Sequence, residues 1–336
     1  MNCSFKAIQR LGAVAALLAT SALCPGAASG ADDKSLAQQI FDTMQQTGAK
    51  PGYRTAHAKG IVCQGTFAPS KNAPSLSKAA HFQNASVPVT VRFSNAAPDP
   101  STPDNSPNAG PRGIAIQFNL PGGGKTDIVS LSHNGFAVGT GEDFLALEKA
   151  VAATNPSQPH PWPIEAFLGA HPLALKFVQE SQAIPVSYGT LGYFSNDAFI
   201  FVNKDGVKQA GRYKILPFAG QHNLTDAEAK AKSADFLAAE LRTRLKGGPI
   251  KFHLIVQLAN PGDPTNDASL VWPDDRRTVD VGTISITSVV ADSDAAQKAL
   301  VFFPTTLTDG IELSDDPLPS LRTSVYVLSF AHRQQP

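Results

Sequence analysis

Cysteine is nearly absent from this sequence: of 336 residues three are cysteine, and Cys3 and Cys24 fall within the first thirty positions. Cys63 is left without a partner for an intrachain disulfide, so the fold must stand on its hydrophobic core. No paired cysteines or histidines occur at zinc-ligand spacing. An excess of one charge is also missing, because 28 Lys and Arg balance 28 Asp and Glu. Without a basic run, electrostatic capture of nucleic acid or of an anionic membrane surface is not the organising function. Beyond the N-terminus no stretch approaches the ~18 apolar residues of a membrane span, and there is no internal repeat. Several chemical motifs break off for want of one residue. Gly124-Lys125-Thr126 ends like a phosphate-binding loop, but its leading glycine would fall at Asn119. Gly139-Thr-Gly141 lacks the third dinucleotide glycine. Ser75-Leu-Ser-Lys78 has none of the companions of a serine-lysine enzyme.

What is present is a chain 42 % hydrophobic and 17 % charged, enough to bury a sizeable core with no disorder signature. Residues 1–30 read as a secretory signal peptide: Lys6 and Arg10 precede an apolar run, and small Ala28 and Gly30 stand before a cut at Ala31. Residues 31–336 then form a single exported domain, periplasmic or secreted. Lipid attachment at Cys24 is disfavoured by the bulky Leu23 before it. Asn84-Ala-Ser86 and Asn223-Leu-Thr225 are glycosylation acceptors only in a eukaryotic host.

Leu36, Ile40, Phe41 and Met44 share one helical face after Ser35. Strand patterns cover residues 87–94, 112–118 and 126–131, and five prolines make residues 96–111 a loop. Helical patterns cover residues 142–152 and 162–180. Asp205-Gly206 marks a hairpin, and Thr225-Asp-Ala-Glu228 is a capping box opening one long helix that stops at Gly247-Gly248. Residues 251–258 and 278–290 are the last clear strands. Strands in runs with helices clustered between them predict an antiparallel α+β architecture.

Two stretches carry chemistry. Arg54-Thr-Ala-His57-Ala-Lys-Gly60 sets a histidine at the edge of an alternating apolar run, with glycines where backbones approach closely. Near the other end, Arg322 and Tyr326 are four apart on one helical face, so a guanidinium meets a phenol. A positive neighbour favours the phenolate, the form a ferric ion takes as ligand. On spacing alone Tyr326 reads equally as a core aromatic with a satisfied hydroxyl.

Those two motifs, with Val91-Arg92-Phe-Ser94, Pro111-Arg112-Gly-Ile-Ala-Ile-Gln-Phe118, Phe201-Val-Asn203-Lys-Asp-Gly206 and Val271-Trp272-Pro273, resemble the haem catalase family in the same order. The chain is similar above all to the short, exported catalase-related peroxidases. The resemblance implies an antiparallel β-barrel core surrounded by helices and burying haem b with its iron. It implies His57 as the distal histidine, Ser94 as the serine orienting it, and Tyr326 as the iron ligand. Arg54, Arg92 and Arg333 match arginines that meet the haem propionates, and Arg322 matches the arginine that keeps the phenolate charged. One departure stands out: an ungapped match puts Ser132 where large catalases carry a distal asparagine, with His133 and Asn134 the alternatives. The expected function is a peroxidase reducing hydrogen peroxide or organic hydroperoxides with small organic electron donors, as a monomer or homodimer. A true catalase, a fatty-acid hydroperoxide isomerase or dehydratase, and an exported haem carrier are the competing expectations.

Overall fold

The alternation in residues 87–95 continues around a closed sheet. In the computed structural model, which describes residues 34–83 and 85–335, β1 (Gly60–Pro69), β2 (Val87–Asn95), β3 (Arg112–Asn119) and β4 (Lys125–Leu131) form an antiparallel meander. The short β5 (Tyr193–Phe194) carries the sheet from β4 to β7 (Lys208–Pro217). From there β8 (Ile250–Leu258) and β9 (Thr278–Val289) lead back to β1, closing an eight-stranded barrel. Outside the ring, β6 (Phe199–Val202) pairs with β7, and β10 (Ile311–Leu313) with β6. The putting together of β1 and β9 requires Gly65: a Cβ there would collide with the Ser285 carbonyl, beside a register shift at Gln64/Gly65.

The pleat of β2 decides where the site lies. Val87, Val89, Val91 and Phe93 point into the barrel and fill it with Phe67, Ile114, Ile116, Phe118 and Phe252. Arg92 and Ser94 therefore face the other way, yet both are buried, because helices cover that side. Cys63 lies in the core, where burial pushes its thiol up to about 12. The thiol form is a poor nucleophile.

Among the described residues the helices of five or more residues are α1 (Leu36–Gln45), α2 (Gly141–Ala152), α3 (Pro163–Ala170), α4 (Pro172–Glu180), α5 (Asp226–Lys230), α6 (Phe236–Lys246), α7 (Ser293–Ala299) and α8 (Leu318–Arg333). The Ser35 hydroxyl caps α1, whose Ile40 and Phe41 pack with Leu145 of α2 and Val325 of α8. Two expected helices are each divided. The run over residues 162–180 breaks at His171, whose φ of −124° and ψ of 82° lie outside the α region that a following proline disfavours. The long helix after Thr225 is interrupted because the loop of residues 96–111 reaches it. Asn105 donates to the Ala229 and Lys232 carbonyls, and Asp104 accepts from the Leu237 amide. That loop supplies the caps the sequence lacks at both new ends. The expected signal peptide, Cys24 and Asn84 lie outside the described residues.

His81 is 1 % exposed among Phe67, Phe82 and Phe118, and neither ring nitrogen has a hydrogen-bond partner. Burial pushes the imidazole down to about 3. The unfolded chain takes up this proton near pH 6.5 and the folded chain does not, so stability is full above pH 6.5 and falls as pH drops toward 3. Urea melts of His81→Leu are expected to show about 2 kcal/mol less stability loss between pH 7 and pH 5 than wild type.

Candidate active site

The turn before β1, strand β2 and helix α8 bring the candidate residues other than Ser132 to a single cavity of about 350 Å³. Ser94 pairs across the sheet with Gly60 on one side and Gly113 on the other. Gly113 leaves room for an imidazole beside it, since a Cβ there would lie 2.8 Å from Ser94 Oγ and 3.0 Å from His57 Nδ1, while Gly60 leaves room for the Arg92 guanidinium, which a Cβ there would meet. His57 stands on the turn just before β1 with a φ of 55°, the left-handed region that costs a non-glycine residue about 1–2 kcal/mol. Its backbone is locked there, since its amide donates to the Ala96 carbonyl and its own carbonyl accepts from Arg92 Nη2 at 2.8 Å. Ser94 Oγ lies 3.0 Å from Nδ1, which leaves Nε2 without a partner among the described residues. Burial, with the charges of Arg92, Arg322, Arg54 and Arg112, pushes the ring down to about 3. At neutral pH it is an uncharged base.

On α8, Arg322, Tyr326, Ser329 and Arg333 follow at helical spacing and all line the cavity. Arg322 donates from Nη2 to the Tyr326 oxygen at 3.1 Å and from Nη1 to Asp197 at 2.5 Å. Burial opposes its charge, but Tyr326 and Asp197 outweigh burial and hold the guanidinium above its usual range. Asp316 stands by as a second acid, pushed up to about 7 by burial and by Asp197. Ser329 Oγ meets both the amide and the hydroxyl of Thr55, two residues before His57. The head and tail of the chain are thereby joined at the site.

Arg54, Arg92 and Arg333 also line this cavity. None has a carboxylate. Arg54 Nη2 and Arg333 Nη2 both donate to the Leu300 carbonyl, at 2.7 and 2.8 Å, and Arg92 has only the side chain of Gln297 and the carbonyls of His57 and Ala58. Burial and then repulsion from Arg92 and Arg333 push Arg54 down to about 7, and burial pushes Arg92 down to about 10. Buried charges are ordinarily paired, so three guanidiniums in this state call for an anionic ligand. The donor set fits a haem: a phenol oxygen for iron, an imidazole in the same cavity, cations for two propionates and an apolar lining from Ile40, Phe136, Val301 and Phe302. Replacing Arg54 with Leu is expected to stabilise the haem-free protein by about 1–3 kcal/mol and to weaken its haem affinity. Urea melts and a haem titration on the same samples measure both.

Ser132 does not reach the cavity. Its hydroxyl accepts the Arg112 amide at 2.8 Å, and neither it nor His133 nor Asn134 is among the lining residues. His133 is held by the Gly135 carbonyl and Glu180. The counting from Asp127 was sound along the strand, but β4 ends at Leu131 and the chain turns away. The amide that does line the cavity is Asn196, whose Oδ1 accepts the Gly135 amide. Asn196, Asp197 and Glu148 carry no local motif; the one available signal was that a half-buried Arg322 calls for an acid from elsewhere.

The sequence matches the Catalase family over residues 37–335. A catalase-related peroxidase of Mycolicibacterium paratuberculosis is 38 % identical over 87 % of this chain and 92 % of its own length. One of Synechococcus elongatus is 33 % identical over 88 % of each. Among solved structures, a fungal catalase superposes with a TM-score of 0.76 and catalase A of Saccharomyces cerevisiae with 0.75, each at 20 % identity and over 96 % of this chain. They cover 67 % and 69 % of those longer chains.

Proposed function

Because the chain belongs to the catalase family and is an oxidoreductase acting on peroxide, we propose that it is a haem-dependent peroxidase that reduces hydrogen peroxide or organic hydroperoxides with small organic electron donors. The observation that carries this reading is the trio of acid-free guanidiniums, Arg92 and Arg333 buried and Arg54 half-buried, facing a cavity that also holds a phenol and a neutral imidazole. In it, Tyr326 ligates the iron of haem b, Arg322 keeps the phenolate charged, and Arg54, Arg92 and Arg333 meet the propionates. Bound haem supplies the two electrons that break the peroxide O–O bond. His57 would do the proton work: Nε2 would take a proton from one peroxide oxygen and return it to the departing one, so that water or an alcohol leaves. Ser94 fixes the ring so that Nε2, not Nδ1, meets the peroxide.

The proposal includes export after removal of residues 1–30, checked by sequencing the N-terminus of the mature protein. It includes a monomer or homodimer, checked by light scattering. The chemistry is tested by following oxygen release and dye oxidation together with the haem-loaded protein. Donor oxidation with little oxygen is the expected result. Vigorous oxygen release without donor oxidation would make it a true catalase, and rearranged lipid products from a fatty-acid hydroperoxide would make it an isomerase or dehydratase.

A further inference from the structure

One acid in the cavity has no role in the chemistry above. Phe144, Leu147 and Glu148 lie along one face of α2, and all three line the cavity. Phe136 and Phe177 line it as well, with the Phe136 ring 5.7 Å from Phe144 and 5.8 Å, edge-on, from Phe177. Glu148 makes no hydrogen bond or ion pair among the described residues. The cavity's cations are engaged elsewhere: Arg322 with Asp197, Arg54 and Arg333 with the Leu300 carbonyl, Arg92 with Gln297. Burial alone acts on Glu148, raising it to about 7, and no charged neighbour contributes. A carboxyl held among apolar groups is costly unless something completes its hydrogen bonds, and no protein group does so here.

We propose that Glu148 is the donor-recognition residue: beside the phenylalanine wall, its carboxylate accepts the N–H or O–H of an aromatic amine or phenol. This names the class of electron donor for the peroxidase reading and rests on that reading. Aromatic rings pack edge-to-face or offset on such a wall, while the single acid selects rings that carry a proton to give. Each donor molecule loses one electron and one proton, the O–H or N–H bond breaking in net to leave a radical. Glu148 takes the proton. Two donors together supply the two electrons and two protons that convert one peroxide to water and water, or to water and an alcohol.

The test is equilibrium binding of aniline, phenol and toluene to haem-loaded wild type, Glu148→Leu and Glu148→Gln, by calorimetric titration. Glu148→Leu is expected to weaken aniline and phenol about 10- to 100-fold, as for loss of a hydrogen bond to a charged group, and to change toluene less than twofold. Glu148→Gln, nearly the same shape, keeps an uncharged acceptor oxygen and is expected to bind phenol about 3- to 10-fold more weakly than wild type, and more tightly than Glu148→Leu. It cannot take the proton, so its kcat for phenol oxidation falls by at least about tenfold. Equal effects of Glu148→Leu on aniline and toluene, or an unchanged kcat in Glu148→Gln, overturn the proposal. Failure of the wild type to oxidise any donor overturns the peroxidase reading instead, so the two failures are distinct.

Discussion

Tyr326→Phe is expected to fold and to take up no haem. The substitution removes one oxygen and leaves the ring, so the packing of α8 against α1 through Val325, Ile40 and Phe41 is untouched. Arg322 loses its 3.1 Å acceptor but keeps Asp197, so no cation is stranded. Tyr326 is the one phenol among the residues lining the cavity, and Asp197, the acid beside Arg322, is already held by that guanidinium, so the phenolate ligand has no like-for-like replacement. The expected result is a thermal midpoint like that of haem-free wild type, a visible spectrum with neither Soret nor tyrosinate bands after haem addition, and background turnover. A full Soret band with turnover would remove the tyrosine from the proposed coordination.

His57→Ala is expected to keep haem and to lose turnover by about 10²–10⁴-fold, the range for removing a general acid-base. An unchanged rate would instead favour the haem-carrier reading with adventitious chemistry. Because alanine tolerates a φ of 55° poorly, His57→Asn is the companion variant: asparagine accepts this backbone and has no basic nitrogen. Equal losses in the two variants assign the effect to the imidazole and not to a shifted turn. The pH profile carries the same information. With the ring pushed down to about 3, protonation of this base limits the wild-type rate only as pH falls toward that value. Its contribution to stability has the sign found for His81: complete above pH 6.5, lost as the pH drops and the unfolded chain alone binds the proton.

Both predictions rest on residues that stood out in the sequence, and the reason is their short-range spacing. Arg322 and Tyr326 meet because a helix repeats every 3.6 residues, and α8 forms as one unbroken helix. The strand alternation in residues 87–94 already separated the barrel-filling Val89, Val91 and Phe93 from Arg92 and Ser94. The hairpin at Asp205-Gly206 and the helix behind Ser35 were legible in the same way. Family motifs extended this reading to the roles of His57 and Arg54, which no periodicity contains.

Ser132 shows where such counting ends. One residue past the end of β4 the register no longer dictates direction, and a hydrogen bond to Arg112, 20 positions away, takes its hydroxyl from the cavity. The helix after Thr225 is divided by Asp104 and Asn105, more than a hundred residues earlier. Asp197 reaches Arg322 across 125 positions, and Thr55 reaches Ser329 across 274. Local repeats of two and of 3.6 residues were enough to place most strands and helices, the faces they bury and the residue types able to do the chemistry, though not the breaks at His171 and after Lys230. Only closure of the barrel decided which of those residues share a cavity, which cations there lack an acid, and that Glu148 stands alone among phenylalanines. Such juxtapositions depend on packing between distant segments, and desolvation acts only once the segments have met.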